Sequence, residues 1–302
     1  MRKEFRGVFT AMITPFTEYN TVDYAALERL VSFQIENGID GLVPCGTSGE
    51  SPTLSHEEHD RVIAQTIKFC KGRVPVIAGT GSNATSEAIR LSQHAQDAGV
   101  DAVLLVNPYY NKPTQKGLYL HFKAIADSVS VPCILYNIKG RTGVNLETET
   151  LERLASECSN IVAVKEASGS LEQMCSVIEG RKNGFSVLSG DDNLSLDLIR
   201  NGGDGVISVA SNLFPKQMHA MIQAALDGNW DEAERLNQWF SEFFRDCFIE
   251  TNPIPIKTAM AHCGHCKELF RLPLCSLEKE EHRTKLLSTV DRMMSDIKEG
   301  RA

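Results

Sequence analysis

From residue 7 onward, short apolar runs alternate with longer amphipathic ones at a spacing of about thirty residues, the length of one strand, one helix and their connections. Eight such runs read as strands, at 7–15, 41–45, 74–79, 102–107, 132–137, 161–166, 185–189 and 205–209. Helical patterns lie between them. In 23–37, Leu27, Leu30, Val31 and Phe33 share one side, and in 86–98 Ile89, Ala95 and Ala98 do the same. Gly38, Gly99 and Gly202 close helices just before the next strand, where a left-handed cap is needed. Eight parallel strands, each followed by a helix, close most simply into an α/β (β/α)8 TIM barrel, although an open doubly wound sheet has the same local code. After the eighth helix, at 215–227, no strand follows, and the pattern predicts helices at 229–248, 255–269 and 277–299. The expected division is a catalytic barrel over 1–227 and a C-terminal helical appendage over 228–302, packed on the barrel with no linker between them.

The composition excludes several classes. A net charge of -8 without a basic block argues against a nucleic-acid surface, which needs clustered Lys and Arg. No stretch approaches the length of a membrane span, and Met1-Arg2-Lys3-Glu4-Phe5-Arg6 is not followed by an apolar leader, so a cytoplasmic protein is expected. Nine cysteines, an odd number, fit free thiols better than a disulfide framework. In His262-Cys263-Gly264-His265-Cys266, Cys263 and Cys266 have metal-ligand spacing with Cys275 nearby. A structural zinc site shows four well-spaced ligands in a small module, so no metal is expected.

The segment Ile161-Val162-Ala163-Val164-Lys165-Glu166-Ala167 places a lysine in a strand otherwise written for burial on both faces. Desolvation of that ammonium depresses its pKa and leaves free amine able to attack a carbonyl, the chemistry of a Schiff-base lysine. On this segment alone, Lys165 could equally snorkel to water or pair with Glu166. The other strand ends bear on the choice, because a barrel enzyme works at the carboxyl ends of its strands. There the chain carries Gly46-Thr47-Ser48-Gly49-Glu50-Ser51, Asn107-Pro108-Tyr109-Tyr110-Asn111, Tyr136-Asn137-Ile138-Lys139-Gly140-Arg141-Thr142-Gly143 and Ser189-Gly190-Asp191-Asp192. Hydroxyls for one carboxylate, an arginine for another, a tyrosine able to relay protons and a buried lysine together describe a site for a keto acid. Metal-dependent aldol chemistry needs a His and carboxylate set at strand ends, and none is visible.

These motifs, with Asn252-Pro253-Ile254-Pro255-Ile256-Lys257, resemble the dihydrodipicolinate synthase family of class I pyruvate-dependent lyases over nearly the whole chain. The resemblance implies a Schiff base between Lys165 and pyruvate, with no cofactor, and addition of the enamine to L-aspartate-4-semialdehyde in lysine and diaminopimelate biosynthesis. It makes Tyr136 the proton relay, linked through Thr47 to Tyr110, which reaches in from a neighbouring subunit. Thr47 and Ser48 would hold the pyruvate carboxylate, with Gly190 and Ile207 lining the substrate pocket. Arg141 would hold the carboxylate of the second substrate, as a guanidinium fork suits it. The implied assembly is a homotetramer built as a dimer of dimers. Ser48 stands where a second threonine is usual and keeps the hydroxyl. Lys139 stands where proline is common, which is expected to loosen the loop before Arg141.

Ser51, His56, His59, Asn83, Glu87 and Tyr109 form a second polar group. His56 with His59, and Asn83 with Glu87, have the spacing of residues on one helix face, and first-turn caps would explain them. The resemblance instead implies a feedback site for L-lysine, with His56 and Glu87 at its ammonium groups, His59 in contact and Asn83 at its carboxylate. Two other functions are weighed. A sugar-acid aldolase such as N-acetylneuraminate lyase is disfavoured by Arg141, and a catalytically silent keto-acid sensor by the joint presence of Lys165, Tyr136 and Thr47.

Overall fold

The computed structural model describes residues 5–302. Residues 1–4, part of the N-terminus read above as lacking an apolar leader, lie outside the described residues.

Eight parallel strands form one sheet: β1 (Gly7–Ala11), β2 (Gly41–Val43), β3 (Ile77–Gly79), β4 (Ala102–Val106), β5 (Cys133–Asn137), β6 (Ile161–Glu166), β7 (Ser186–Ser189) and β8 (Gly205–Ser208). Their order is β2-β1-β8-β7-β6-β5-β4-β3. A parallel bridge from Leu42 to Val76 joins the two outermost strands, with Leu42 N–H donating to the Pro75 carbonyl at 2.9 Å and Gly79 N–H to that of Pro44 at 3.0 Å. An open doubly wound sheet would leave those two edges apart, so the fold is the closed (β/α)8 barrel.

The barrel helices are α1 (Tyr24–Glu36), α2 (His56–Cys70), α3 (Thr85–Ala98), α4 (Gln115–Ser128), the four-residue turn α5 (Lys139–Thr142), α6 (Thr148–Glu157), α7 (Leu171–Gly180), α8 (Ser195–Arg200) and α9 (Pro215–Leu226). Their starts follow local side-chain chemistry. Asp23 accepts from Ala26 N–H at 2.9 Å, and Ser55 and Glu58 form a reciprocal capping box at the head of α2. Gly99, at φ +93°, ends α3 in the left-handed conformation expected of it.

Alternation along the strands divides the core. Phe9, Val43, Ile77, Leu104, Ile134, Ala163, Leu188 and Ile207 fill the barrel interior, while Val8, Leu42, Val103, Leu135, Val164, Val187 and Val206 pack outward against the helices. One departure aims the site. Between β5 and β6, Cys133 stands opposite Ile161 and Ile134 opposite Ala163, so Val162 is an extra residue, a bulge. Ile161 thereby joins the outer layer and Ala163 the inner one, two residues before Lys165.

Several strands are shorter than the apolar runs that announced them. The run 7–15 leaves the sheet after Ala11, because Ile13 N–H turns to the Asn212 side-chain oxygen at 3.1 Å. The run 74–79 is strand only from Ile77.

Beyond the barrel lie α10 (Trp230–Asp246), α11 (Ile254–His262) and α12 (Glu280–Lys298). Phe214 meets the Trp239, Phe240 and Phe243 rings edge-on, fixing α10 against the entry to α9. The helix predicted over 255–269 stops at His262. Gly264 adopts φ +79°, which a continuing right-handed helix does not permit, and 263–279 runs as turns. That segment carries Arg271, whose guanidinium donates to both Glu58 carboxylate oxygens at 2.6 Å and to the Asn20 carbonyl at 2.7 Å. Among the described residues, no helix is long and apolar enough to cross a membrane.

Candidate active site

Lys165 and Tyr136 are register partners on β6 and β5, each one residue before its strand's last. Their side chains turn to the same side of the sheet, and Lys165 Nζ lies 4.1 Å from the centroid of the Tyr136 ring. Lys165 is only 5% exposed, so it does not snorkel into open water. Nor does it pair with Glu166. That side chain turns away and accepts from Ser168 N–H at 2.8 Å, from the Asn137 amide at 3.2 Å and from the Gln173 amide at 3.2 Å. Burial raises the Glu166 carboxyl above its ordinary pKa, and those hydrogen bonds pull it partly back. Asn137 in turn accepts from Asn107 at 2.8 Å and from Leu146 N–H at 2.9 Å. The strand ends beneath Lys165 are therefore cross-braced by amide side chains.

Gly190, just past β7, supplies room for the lysine. A Cβ there would stand 3.0 Å from Lys165 Cε and 2.5 Å from Ala167 Cβ. Ile207 is fully buried in the interior layer. Asp191 follows Gly190; burial raises its carboxyl while the charge of Lys165 lowers it, which places the two groups in mutual range.

The turn after β2 brings up the hydroxyls. Thr47 is partly buried at its apex and Ser48 is buried. Glu50 ends the turn with φ +53° and lies wholly inside the protein, 2.6 Å from the equally buried Lys257 ammonium. That ammonium also lies 4.1 Å from the Phe16 ring centroid, and burial lowers its pKa while Glu50 raises it. The pair ties α11 to the Gly46–Ser51 turn.

Arg141 is exposed on α5, and its Nη2 donates to the Asn252 carbonyl at 3.0 Å. The Asn252 amide donates to Ser48 Oγ at 3.1 Å. One residue thus connects the two predicted carboxylate positions. Asn252 opens the Asn252–Lys257 motif, and the two prolines that follow within three residues are its only local signal in the sequence. Lys139 opens a closed helical turn. It heads α5, the one helical position a proline also fits, and the turn closes with Gly143 N–H on the Lys139 carbonyl at 2.9 Å.

The second polar group is only partly assembled. His56 Nε2 and Glu87 Oε1 lie 2.8 Å apart, and Ser82 donates to the same carboxylate. Those bonds hold the Glu87 carboxyl below its ordinary pKa. Asn111 donates to the Asn83 carbonyl at 2.9 Å, bringing the Tyr109 loop alongside. Ser51 opens a short 3-10 turn. Two expected pairings differ. His56 is exposed whereas His59 is buried, facing the Gly79 carbonyl at 2.9 Å, so they do not share a face; desolvation lowers the His59 pKa. Asn83 precedes α3, which begins at Thr85, and is not on a helix with Glu87. Tyr110 is remote from its own barrel's interior, 90% exposed with φ +74°.

The histidine and cysteine cluster is engaged elsewhere. His262 pairs with Asp291 at 2.7 Å, His265 packs on the Phe33 ring, and Cys266 points to the Lys257 carbonyl with its thiol pushed up to about 11 by burial.

The chain that carries this buried lysine and tyrosine at the mouth of a closed barrel is similar to known proteins over nearly its whole length. A 4-hydroxy-tetrahydrodipicolinate synthase of Syntrophus aciditrophicus (strain SB) is 55% identical over 282 residues, covering 93% of this chain and 96% of that protein. The solved structure of the 4-hydroxy-tetrahydrodipicolinate synthase from Methylacidiphilum fumariolicum SolV matches with a TM-score of 0.96 at 47% identity, covering 98% of each chain. That of Cyanidioschyzon merolae dihydrodipicolinate synthase with lysine bound matches with a TM-score of 0.93 at 40% identity, covering 97% of this chain and 99% of that one. The sequence profile of the dihydrodipicolinate synthetase family spans residues 4–293, including every strand of the barrel and each loop at its mouth, and the chain belongs to that family.

Proposed function

We infer that this chain is a lyase that condenses pyruvate with L-aspartate-4-semialdehyde, the reaction of a 4-hydroxy-tetrahydrodipicolinate synthase in lysine and diaminopimelate biosynthesis. The observation that carries the reading is the placement of Lys165 Nζ 4.1 Å above the Tyr136 ring, in space that Gly190 leaves clear. The Lys165 amine attacks the pyruvate C2 carbonyl, and loss of water gives an iminium. Loss of a methyl proton then gives the enamine, whose carbon forms the new bond to the aldehyde as Tyr136 delivers a proton to the developing alkoxide. Attack of the substrate's own amine on C2 closes the ring and releases Lys165. The iminium nitrogen is the electron sink, so the reaction needs no further cofactor.

Thr47 and Ser48 hold the pyruvate carboxylate and Arg141 that of the aldehyde. Tyr110 completes the relay from a second copy of the chain, which makes a dimer the working unit and a dimer of dimers the assembly. L-lysine is the feedback inhibitor, bound where His56, Glu87, Asn83 and Tyr109 gather; the lysine-bound relative supports this assignment. We place the reaction in the cytoplasm.

The test is turnover of pyruvate with L-aspartate-4-semialdehyde and, in parallel, with N-acetylmannosamine. Turnover with the semialdehyde alone, inhibited by added L-lysine, is the expected result. Turnover with the sugar alone overturns the assignment of Arg141, and turnover with neither favours a keto-acid sensor.

A further inference from the structure

We propose that Asn252 reads the α-ammonium of the aldehyde substrate while Arg141 holds its carboxylate. This rests on the substrate assignment above and adds to it the group that separates an amino-acid aldehyde from its des-amino counterpart.

Asn252 is buried, and its hydrogen-bonding capacity is unevenly used. The backbone carbonyl accepts from Arg141 Nη2 at 3.0 Å and the side-chain nitrogen donates to Ser48 Oγ at 3.1 Å, yet the side-chain oxygen, shielded from solvent, has no partner. An unmatched buried amide oxygen is costly, and a retained one calls for a donor from elsewhere. The residue cannot easily turn to find one. Pro253 follows it, Ile254 and Ile256 are buried, and Lys257 is locked to Glu50 at 2.6 Å within the same helix.

The position specifies the missing donor. Arg141 spends one N–H on the Asn252 backbone carbonyl and keeps the rest of its fork for a carboxylate, which would then dock next to residue 252. In an α-amino acid the ammonium is carried on the carbon next to the carboxylate, so holding one at Arg141 presents the other to the free amide oxygen. An ammonium has donors only and needs acceptors. A neutral acceptor also suits the reaction better than a carboxylate. This nitrogen must later lose its proton to close the ring, and a carboxylate partner would raise its pKa.

The test compares the full-length wild-type protein with Asn252→Ala and Asn252→Asp. L-aspartate-4-semialdehyde serves as substrate and succinate semialdehyde, which lacks the amine, as competitive inhibitor. Borohydride trapping of pyruvate on Lys165 shows that each variant keeps an intact site. Asn252→Ala is expected to raise KM for the substrate about tenfold or more while changing the inhibitor constant less than about twofold, because only the substrate loses a partner. Asn252→Asp, which keeps an acceptor oxygen, is expected to restore KM to within about twofold of wild type. Equal changes for both ligands would mean that Asn252 only positions Arg141 and Ser48, which overturns the assignment. Loss in Asn252→Asp as large as in Asn252→Ala overturns it too, since the free group would then be a donor. Absence of wild-type turnover with the semialdehyde overturns the substrate reading together with this one.

Discussion

Tyr136 and Lys165 sit opposite each other on neighbouring parallel strands, with the lysine nitrogen 4.1 Å from the centre of the phenol ring. The ring gives the buried lysine nitrogen an electron-rich face in place of water, and in the proposed mechanism the hydroxyl at its edge serves proton transfer. These two contributions separate experimentally. Lys165→Ala is expected to abolish turnover and borohydride trapping of pyruvate together. Tyr136→Phe keeps the ring and loses only the hydroxyl, so trapping should persist while kcat falls by about 10²–10⁴, the usual worth of a general acid–base group. A Tyr136→Phe enzyme with near wild-type kcat would remove the relay.

Gly190 leaves the space that the Lys165 side chain occupies. Gly190→Ala puts a methyl group 3.0 Å from Lys165 Cε and 2.5 Å from Ala167 Cβ, closer than carbon atoms settle without movement. Ala167 and the lysine stem have to give way, which disturbs the placement of Nζ over the Tyr136 ring. The variant should remain folded with a stability loss of about 1–3 kcal/mol, typical of overpacking. Pyruvate trapping should slow far more than that loss implies. Measuring trapping rate and thermal midpoint on one sample separates the two effects.

The pair Glu50 and Lys257 holds no substrate in the proposed mechanism, and its loss should show as instability. Both side chains are fully buried, with 2.6 Å between the charged atoms. Lys257→Met leaves Glu50 charged and unmatched except for Arg271 N–H at 3.2 Å, and should cost about 3–5 kcal/mol in denaturant unfolding. Adding Glu50→Gln to that variant should recover part of the loss. A double variant less stable than the single one contradicts the pairing as the cause.

The barrel was legible because its code is local and repeated: an apolar run, an amphipathic run, and a glycine such as Gly99 between them. Lys165 was legible because a cation in an apolar strand breaks the local rule, which is where sites are expected. What escaped was non-local. Asn252 acquires its place from contacts 111 and 204 residues away, and no pattern around it encodes either. The bulge at Val162 is equally silent, since Val162 and its neighbours are all apolar and suit either face. Apolar residues continue past the point where Gly264 turns the chain, so the pattern over 255–269 overstates a helix that ends at His262. His59 looked like a partner of His56 because spacing states proximity along a helix and says little of which member the neighbouring strand buries.

His121 gives the fold a defined pH dependence. Burial alone pushes its imidazole down to about 4, with Nδ1 held 2.9 Å from Thr85 Oγ1 and Nε2 without a partner. The folded pKa lies below the unfolded value of about 6.5, so the unfolded chain takes up a proton that the folded one refuses. The associated stability is fully present above pH ~6.5 and is lost as pH falls toward ~4. Between those limits the wild-type protein should lose on the order of 3 kcal/mol more than His121→Gln, read from denaturant curves at each pH. Parallel losses in the two proteins would assign the acid sensitivity to other groups.

Tyr110 is the one member of the proposed relay that its own chain leaves in solvent. It is 90% exposed and held at φ +74°, a conformation unfavourable for an aromatic residue and poorly explained by packing within one subunit. The proposed relay gives this display a purpose, contact with a second copy of the chain. If it completes the site of a second copy, Tyr110→Phe and Lys165→Ala should each be strongly impaired alone but complement when mixed. In a mixed dimer, the lysine of the first variant meets the tyrosine of the second, so one site in two is whole. Random reassembly makes about half the dimers mixed, giving about a quarter of wild-type activity. Activity no greater than the sum of the separate variants, in a mixture shown by mass measurement to contain mixed dimers, places Tyr110 outside the site and confines the relay to residues of one chain.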